Sequence, residues 1–260
     1  MDRFPVFIIT YNLLSTTKNL VKDILRMNGQ PFIVDNNSTY PPLLEWYSSL
    51  KNNDDIHVIR FPVNYGPQVV YGYLYDLRKT YKKLTGKPLP KEFIVTDCDL
   101  DLSQVPDDGL DVLYRLYAYC KRQGLIYLKI GFGLRIDDLP KKPYLNRTRN
   151  WEKQFFTRKV KYDGIDVNPD AAIDTTLHLF ISDVFLHPPK GVPSCLQPFR
   201  KRHFSRYGPA IRTYAPYMAR HIPWYWTEET LDEESKYYLK HVNTNLPIAH
   251  SADLKHVFGF

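Results

Sequence analysis

Short apolar runs alternate with amphipathic stretches along roughly the first hundred residues of this chain. Four of the runs are rich in β-branched and aromatic residues, as buried strands are, and they cover residues 6–9, 32–34, 56–59 and 93–95. The stretches between them have the apolar spacing and the terminal residues of helices, as in the helix expected between Ser15 and Gly29. Strands that alternate with helices are typical of βαβ units. The pattern therefore predicts an α/β fold with a mostly parallel sheet flanked by helices.

The second half of the chain has a less regular pattern. It predicts strands at about residues 125–130 and 172–181, a helix at 146–158 and a short helix near 228–241, with loops elsewhere. The sequence shows no internal repeat, low-complexity tract or linker. We therefore expect a single domain over residues 1–260.

Composition and residue order disfavour several classes of protein. The 260 residues are 43% hydrophobic, which is enough to build a buried core. No apolar run approaches the roughly 18 residues of a membrane span, and residues 1–5 lead into a strand-like run without the features of a signal peptide. Cys98, Cys120 and Cys195 match neither a disulfide framework nor a zinc site, which indicates reduced thiols. We therefore expect a cytoplasmic protein that is neither secreted nor membrane-spanning.

The chain carries an unevenly placed excess of positive charge. Its 35 Lys and Arg residues against 28 Asp and Glu give a formal net charge of +7. Between Asp183 and Glu228 there is no acid, and the basic residues there are Lys190, Arg200, Lys201, Arg202, Arg206, Arg212 and Arg220. Such a segment suits phosphate-bearing ligands, an anionic membrane surface or nucleic acid. A solvated basic face is the alternative interpretation.

Polar clusters follow the predicted strands of the first half at their carboxyl ends, where ligands bind in open α/β sheets. These clusters are residues 10–12, 35–37, 64–66 and 96–99. In the last of them, Asp97 and Asp99 are two residues apart, so in an extended chain both carboxylates point the same way and can reach one divalent ion. Such oxygen ligands suit Mg²⁺ or Mn²⁺. We expect Asp99 to be the direct ligand and Asp97 to face a ribose or a metal-bound water, whereas Asp101 is equally explained by a loop or helix-cap role.

Asp35 ends the second predicted strand and can accept hydrogen bonds from a nucleobase or a ribose. The alternative is an Asx turn in which Asp35, Asn36 and Asn37 cap the next helix. No Gly-x-Gly-x-x-Gly follows the first strand, and no P-loop motif occurs in the chain. These absences exclude the usual dinucleotide-binding and P-loop classes.

Three of these segments resemble the N-terminal signatures of GT-A-fold glycosyltransferases, and they are most similar to the family 2 type. The segments are residues 5–12, 33–39 and 97–99, with a looser resemblance to bacterial and viral members at 172–176 and 216–225. The resemblance implies a Rossmann-like sheet in which residues 1–102 bind a nucleotide sugar and residues 103–260 bind the acceptor. It also implies a metal-dependent, inverting transfer of one sugar, from a UDP-sugar by preference, to a hydroxyl of a glycan or lipid-linked acceptor.

The resemblance further implies a donor site. The residues that would hold or border the nucleoside are Thr10, Tyr11, Asn12, Asp35 and Asn64. Asp97 and Asp99 would bind the ribose and the Mn²⁺ or Mg²⁺ ion on the diphosphate. His221 would supply a last metal ligand or a diphosphate contact, with a buried histidine bonded to the backbone as the alternative. Arg212 and Arg220 are candidate diphosphate clamps, because guanidinium groups match phosphate oxygens.

Inversion in a single displacement requires a general base that takes the proton of the acceptor hydroxyl. We expect Glu152 to be this base, because it is the only acid between Asp138 and Asp163. Its alternative role is that of a surface acid paired with a neighbour such as Arg149. Asp174 is the second candidate base, and it could instead satisfy backbone donors at the edge of a strand.

Two other functions share part of this pattern. A sugar-phosphate nucleotidyltransferase has a related sheet, but it would carry a Gly-rich loop where residues 10–14 have none. A nucleic-acid- or phosphate-binding module would use the basic second half, yet the strand-end acids would repel phosphate unless a metal intervenes. Residues 197–201 lack the tryptophan of the processive synthase signature, so we expect non-processive transfer. We expect no nucleic acid partner, while Arg200, Lys201 and Arg202 leave peripheral contact with an anionic membrane open.

Overall fold

The computed structural model describes residues 3–187, 209–242 and 256–259. Some residues singled out in the sequence lie outside the described residues, namely Lys190, Cys195, the segment 197–202 and Arg206. The described residues form an α/β fold in which helices flank one large sheet, with a small second sheet beside it.

The bounds of the elements are as follows. In chain order, the strands are β1 (Phe4–Thr10), β2 (Gly29–Asp35), β3 (His57–Arg60), β4 (Glu92–Asp97), β5 (Leu100–Asp101), β6 (Lys129–Gly131), β7 (Gly133–Leu134), β8 (Val160–Tyr162), β9 (Ile165–Asn168), β10 (His178–Ile181), β11 (Ala210–Thr213) and β12 (Met218–His221). The α-helices are α1 (Ser15–Arg26), α2 (Pro41–Ser49), α3 (Val69–Gly72), α4 (Leu74–Thr85), α5 (Gly109–Arg122), α6 (Asn146–Lys153), α7 (Ser182–Leu186) and α8 (Glu233–His241). Within these described ranges, no helix combines the length and the apolar character needed to cross a bilayer.

The large sheet has nine strands in the order β3-β2-β1-β4-β10-β6-β11-β9-β8. The first four strands of the chain are parallel, as predicted, because helices connect them. The expectation of a mostly parallel sheet is wrong, since β10 runs antiparallel to β4 and β6, and β9 runs antiparallel to β11 and β8. One physical reason is the connection between β8 and β9, where Asp163 and Gly164 both have positive φ and form a two-residue hairpin turn. Such a turn joins only antiparallel strands, so the sheet is mixed.

Hydrophobic side chains alternate between two layers, one on each face of the sheet. Val6 and Ile8 of β1 pack in the layer that contains the apolar residues of α1 and α5. Phe7 and Ile9 point the other way and pack with the apolar residues of α3 and α4. Helices cover both faces of the sheet, so the loops that carry the polar clusters lie at its edge, where β1, β2 and β4 end.

The predicted elements of the second half are shorter in the structure. The strand expected at 172–181 is confined to β10, so residues 172–177 form a loop that leads into it. The helix expected at 146–158 is α6 followed by a 3₁₀ turn at Gln154–Phe156. Asp174 therefore lies in a loop and not in a strand.

A second sheet has three short strands in the order β5-β12-β7. In the antiparallel pair, His221 of β12 lies opposite Leu100 of β5, and Arg220 lies opposite Asp101. The backbone oxygen of Asp99 accepts a hydrogen bond of 2.8 Å from the amide of Ile222. This pairing brings the end of β12 beside the carboxylates that follow β4.

Candidate functional site

Three carboxylates and one imidazole meet beyond the carboxyl end of β4, and we call them the acidic cluster. Asp97 is the last residue of β4, Asp99 lies in the turn to β5, His221 ends β12, and Asp174 lies in the loop before β10. Asp97 is influenced by the charges of the other three members. The fold thus assembles residues that are up to about 120 positions apart in the sequence.

Asp99 and His221 are in direct contact. The Oδ2 atom of Asp99 lies 3.3 Å from Nε2 of His221. Burial alone would lower the pKa of His221, but the carboxylates of Asp99, Asp97 and Asp174 raise it above its usual value. The remaining polar atoms, Oδ1 of Asp99 and Nδ1 of His221, are buried and have no hydrogen-bond partner among the described residues. Two buried polar atoms without partners are costly unless a ligand satisfies them.

Asp97 carries a strongly perturbed carboxyl group. Burial raises its pKa to about 8, and the nearby charges of Asp99 and Asp174 act in the same direction. Only a few contacts oppose this rise, among them the hydroxyl of Thr175, which donates a hydrogen bond of 2.6 Å to Oδ2. Perturbed groups of this kind are concentrated at functional sites.

The chemistry of these side chains fits a hard divalent cation. Asp97, Asp99 and His221 offer carboxylate and imidazole donors, which are ligand types that such a cation accepts. In the part of the chain that the structure describes, however, no three His, Cys, Asp or Glu side chains are already gathered around one point that could hold a metal ion. Oδ1 of Asp99 and Nδ1 of His221, which make no hydrogen bond, are the atoms of the cluster that a ligand could satisfy.

Asp174, the cluster member in the loop before β10, lies close enough to Asp97 for its charge to raise the pKa of Asp97. Its Oδ1 atom accepts hydrogen bonds from the amides of Thr175, at 2.7 Å, and Thr176, at 3.4 Å. Burial acts to raise the pKa of Asp174, but the cations of Arg212 and Lys129 and these two amides together lower it. Asp174 is therefore ionised at neutral pH.

Glu152 is buried and not on the surface. It projects from α6, and its Oε2 atom accepts a 2.7 Å hydrogen bond from the guanidinium of Arg212 on β11. Arg212 also donates to the backbone oxygen of Ala172 at 2.7 Å and lies 4.1 Å from the centre of the Phe155 ring. Burial raises the pKa of Glu152, and Arg212 opposes the rise. Both side chains are thus occupied by a buried ion pair, which borders the acidic cluster through Asp174.

The predicted nucleoside residues at the ends of β1 and β2 are largely used to shape their own loops. The Thr10 hydroxyl is buried and bonds to the oxygen of Ile8, and the Asn12 side chain accepts bonds from the amides of Thr39 and Tyr40. Asn12 has a φ of 53°, a left-handed conformation that asparagine tolerates. These contacts fix the loops beyond the two strands.

Asp35 is fully buried, and it does not cap the next helix as the alternative interpretation expected, because α2 has Tyr40 at its N-cap and no side-chain hydrogen bond there. Its carboxylate accepts bonds from the amide of Ser38 at 3.2 and 3.4 Å, and it lies 3.2 Å from the guanidinium of Arg60. Burial raises the pKa of Asp35, and its hydrogen bonds and Arg60 act against the rise. Tyr11 and Asn64, in contrast, are not fully buried; burial raises the pKa of Tyr11, and the nearby side chain of Asn64 acts against the rise.

Arg220 lies outside the acidic cluster. Because neighbouring residues of a strand point to opposite faces, its side chain leaves β12 on the side away from His221. Its guanidinium donates to Oδ2 of Asp138 at 2.7 Å and lies 3.6 Å from Asp101. The structure therefore brings Arg212, but not Arg220, toward the predicted site, and it places Asp101 in an ion pair.

Helix α8 covers the loops at the ends of β1 and β2, which the sequence did not indicate. Glu234 accepts bonds from the amide and the hydroxyl of Ser15 at 2.9 Å, and the hydroxyl of Tyr237 donates to the oxygen of Thr39 at 3.1 Å. The hydroxyl of Tyr11 bonds to the oxygen of His241 at 3.2 Å. The helix itself was predictable, but no local pattern states where a helix docks.

Three further buried polar residues, Lys129, Tyr71 and His178, lie next to the acidic cluster, and none of them was singled out in the sequence. Lys129 lies in β6, and its ammonium group is 4.9 Å from the centre of the Tyr71 ring. The Tyr71 hydroxyl is 2.9 Å from Nε2 of His178. A lysine inside the apolar run at 125–130 was the one available signal, since lysine is rarely buried without a function or a partner.

Comparison with known proteins adds no relative: no protein-family model matches this chain, and no curated protein matches it significantly. A function for the acidic cluster therefore depends on its geometry and on the sequence resemblance.

Proposed function

We propose that this chain is a metal-dependent GT-A-type glycosyltransferase that transfers one sugar, with inversion, from a nucleotide sugar to a hydroxyl of a glycan or lipid-linked acceptor. A UDP-sugar is the favoured donor. The observation that carries the proposal is the acidic cluster at the carboxyl end of β4, in which Asp99 contacts His221 and the charges of both act on Asp97. Open α/β sheets bind their ligands at this edge. A site for bare phosphate would instead place cations there, so a phosphate-binding module is a poorer fit.

Binding of the donor follows from the chemistry of the cluster. Asp97, Asp99 and His221 would hold a Mn²⁺ or Mg²⁺ ion, as the donor types of the three side chains and the unpartnered atoms of Asp99 and His221 favour. When bound, such an ion neutralises charge that develops on the departing diphosphate. Tyr11 and Asn64, whose side chains lie near each other and are not fully buried, would contact the nucleoside.

Asp174 is the better placed of the two candidate bases. Its carboxylate is ionised, it borders Asp97, and its Oδ2 atom makes no hydrogen bond within the described residues. It can therefore accept the proton of an acceptor hydroxyl. Glu152 is held by Arg212 at 2.7 Å and is buried, so it would have to break an ion pair before it could act. In this proposal Glu152 keeps Arg212 in place, and Arg212 keeps Asp174 ionised.

The test is a survey of UDP-, GDP- and dTDP-sugars with Mn²⁺ and with a chelator, in which the release of nucleoside diphosphate is measured. We expect release from one donor class, in the presence of Mn²⁺ only. Asp99→Asn should abolish it, whereas the matched control Asp101→Asn should retain it, because Asp101 pairs with Arg220 outside the cluster. Release of pyrophosphate from a nucleoside triphosphate and a sugar phosphate would identify a nucleotidyltransferase instead. Equal activity of the Asp99 variant and wild type would contradict the proposed site.

A further inference from the structure

The loop that carries Asp174 is held by an unbroken series of hydrogen bonds to its backbone oxygens. Arg212 donates to the oxygen of Ala172 at 2.7 Å, and Lys129 donates to the oxygens of Ile173, at 3.1 Å, and Asp174. The two following oxygens, of residues 175 and 176, accept bonds from the amide of Asp97, at 3.1 Å, and from Nδ1 of His178, at 2.6 Å. Five consecutive carbonyl groups in a loop are thus each bonded to a group outside helix or sheet pairing.

Lys129 is central to this series, because one ammonium group bonds to two of the five oxygens. The residue as a whole is only 2% exposed. Burial lowers the pKa of Lys129 to about 7, in opposition to the nearby carboxylates of Asp174 and Asp97. Burying a lysine costs free energy, and a protein with an apolar side chain of similar volume at the same position is often as stable or more stable. Its hydrogen bonds to the loop therefore need a reason other than packing.

His178, which bonds to the next part of the loop, is neutral. A carbonyl oxygen can only accept, so Nδ1 of His178 carries the proton in its bond to Thr176, and Nε2 accepts from the hydroxyl of Tyr71. Burial and the charge of Lys129 hold the pKa of His178 well below its usual value. Lys129 and Arg212 are thus the cations that bond to this loop, and Lys129 is the one of the two that bonds to the backbone of Asp174 itself.

We propose that Lys129 is a positioning residue, which fixes the 173–174 backbone so that the Asp174 carboxylate is held beside Asp97 for the transfer reaction. The anchoring of the loop follows from the contacts alone, whereas its consequence for turnover rests on the proposed function. Fixing a reacting group in its productive orientation is worth a large factor in rate, and a displacement of about 1 Å can cost roughly a hundredfold.

The test replaces the ammonium group with an apolar side chain of similar length in Lys129→Met. The matched control is Ile130→Ala, which removes a fully buried side chain from the next position of the same strand and leaves the hydrogen bonds of Lys129 intact. Hydrogen exchange of the Thr175 and Thr176 amides, which bond to Asp174, reports on the loop. In Lys129→Met we expect exchange of these two amides, relative to amides of β1, to accelerate at least about tenfold, which is the effect of losing one buried hydrogen bond. In Ile130→Ala we expect no such acceleration.

The kinetic readout uses the donor that supports nucleoside diphosphate release. In Lys129→Met we expect kcat to fall about 10- to 100-fold while KM for the donor stays within about threefold. Unchanged exchange at Thr175 and Thr176 overturns the anchoring role, and faster exchange with an unchanged kcat overturns the positioning role. If wild type turns over no nucleotide sugar, the exchange data still decide the anchoring, and only the proposed function fails. If Lys129→Met does not fold, the test uses Lys129→Gln, whose amide can reach one carbonyl oxygen. Amide exchange at Thr175 and Thr176 must then accelerate by an intermediate factor, and exchange at the wild-type rate overturns the proposal.

Discussion

The buried pair of Glu152 and Arg212 gives the most quantitative prediction. The two side chains are 4% and 6% exposed and 2.7 Å apart. Replacing Arg212 by Met leaves the Glu152 carboxylate buried without a countercharge. It also removes the bond to the oxygen of Ala172 and the contact with the ring of Phe155. Glu152→Gln instead leaves the Arg212 charge buried with a neutral partner.

The expected magnitudes follow from burial. Removing one partner of a buried ion pair costs about 3–5 kcal/mol, so Arg212→Met should lower the free energy of unfolding by that amount. Glu152→Gln should cost about 2–3 kcal/mol, because the amide can still accept one hydrogen bond from Arg212. In the double variant neither charge remains, so its cost should be smaller than the sum of the single costs by about 1.5–3 kcal/mol.

Urea unfolding of the four proteins at pH 7 measures this coupling energy, and equal denaturant slopes confirm that the unfolding transitions are comparable. The exposed pair of Lys91 and Asp183, whose side chains are 67% and 44% exposed at 2.6 Å, is the matched control. Its coupling should stay below about 1 kcal/mol, as for surface pairs in general. A coupling of less than about 1 kcal/mol between Glu152 and Arg212 would refute the conclusion that these residues act mainly as a structural pair.

Two further predictions concern Asp174 and Lys129. Asp174→Asn should lower kcat by about 10²- to 10⁴-fold and leave nucleotide affinity within about threefold of wild type. Glu152→Gln, compared at a temperature where both variants are folded, should lower kcat far less. If Glu152→Gln lowers kcat more than Asp174→Asn does, Glu152 is the base. The second concerns pH: the pKa of Lys129 is lowered from 10.5 to about 7 in the folded protein, so between these pH values the unfolded chain binds more protons and stability rises with pH. The unfolding free energy of wild type minus that of Lys129→Met should therefore increase by up to about 1.4 kcal/mol for each pH unit between pH 7.5 and 9.5. Urea unfolding at several pH values measures this difference, and a flat difference would show that folding does not lower the pKa of Lys129.

The first half of the fold could be predicted because its signals are local. Each of the strands β1, β2 and β4 is an apolar run, and the helices between them impose parallel crossovers. The direction of β10 could not be predicted, since a strand that is buried on both faces reads the same in either direction. The strands of the small sheet have two to four residues, too few to show a periodicity, although they bring His221 to Asp99.

In the candidate site, too, some features could be predicted from local sequence and others could not. Asp97 and Asp99 could be identified because they follow an apolar strand directly, and this needs no long-range information. The burial of Glu152 could not, because the surrounding helix residues 146–153 are almost all polar or charged and resemble a surface helix. The donors beneath Asp174 come from β6, β10 and β11, so the loop is fixed only by tertiary packing. Local sequence therefore identifies the acids but not the groups that tune and hold them.

The most direct test of the central claim is calorimetric titration of the protein with UDP, GDP and dTDP, each with Mn²⁺ and with a chelator. The proposed site predicts that one of these nucleotides, with UDP favoured, binds in the presence of Mn²⁺ and not in the chelator. It also predicts that Asp99→Asn loses this binding and that Asp101→Asn retains it. Binding of no nucleotide, or binding that is the same with Mn²⁺ and with the chelator, would contradict a metal-dependent nucleotide-sugar site at the acidic cluster.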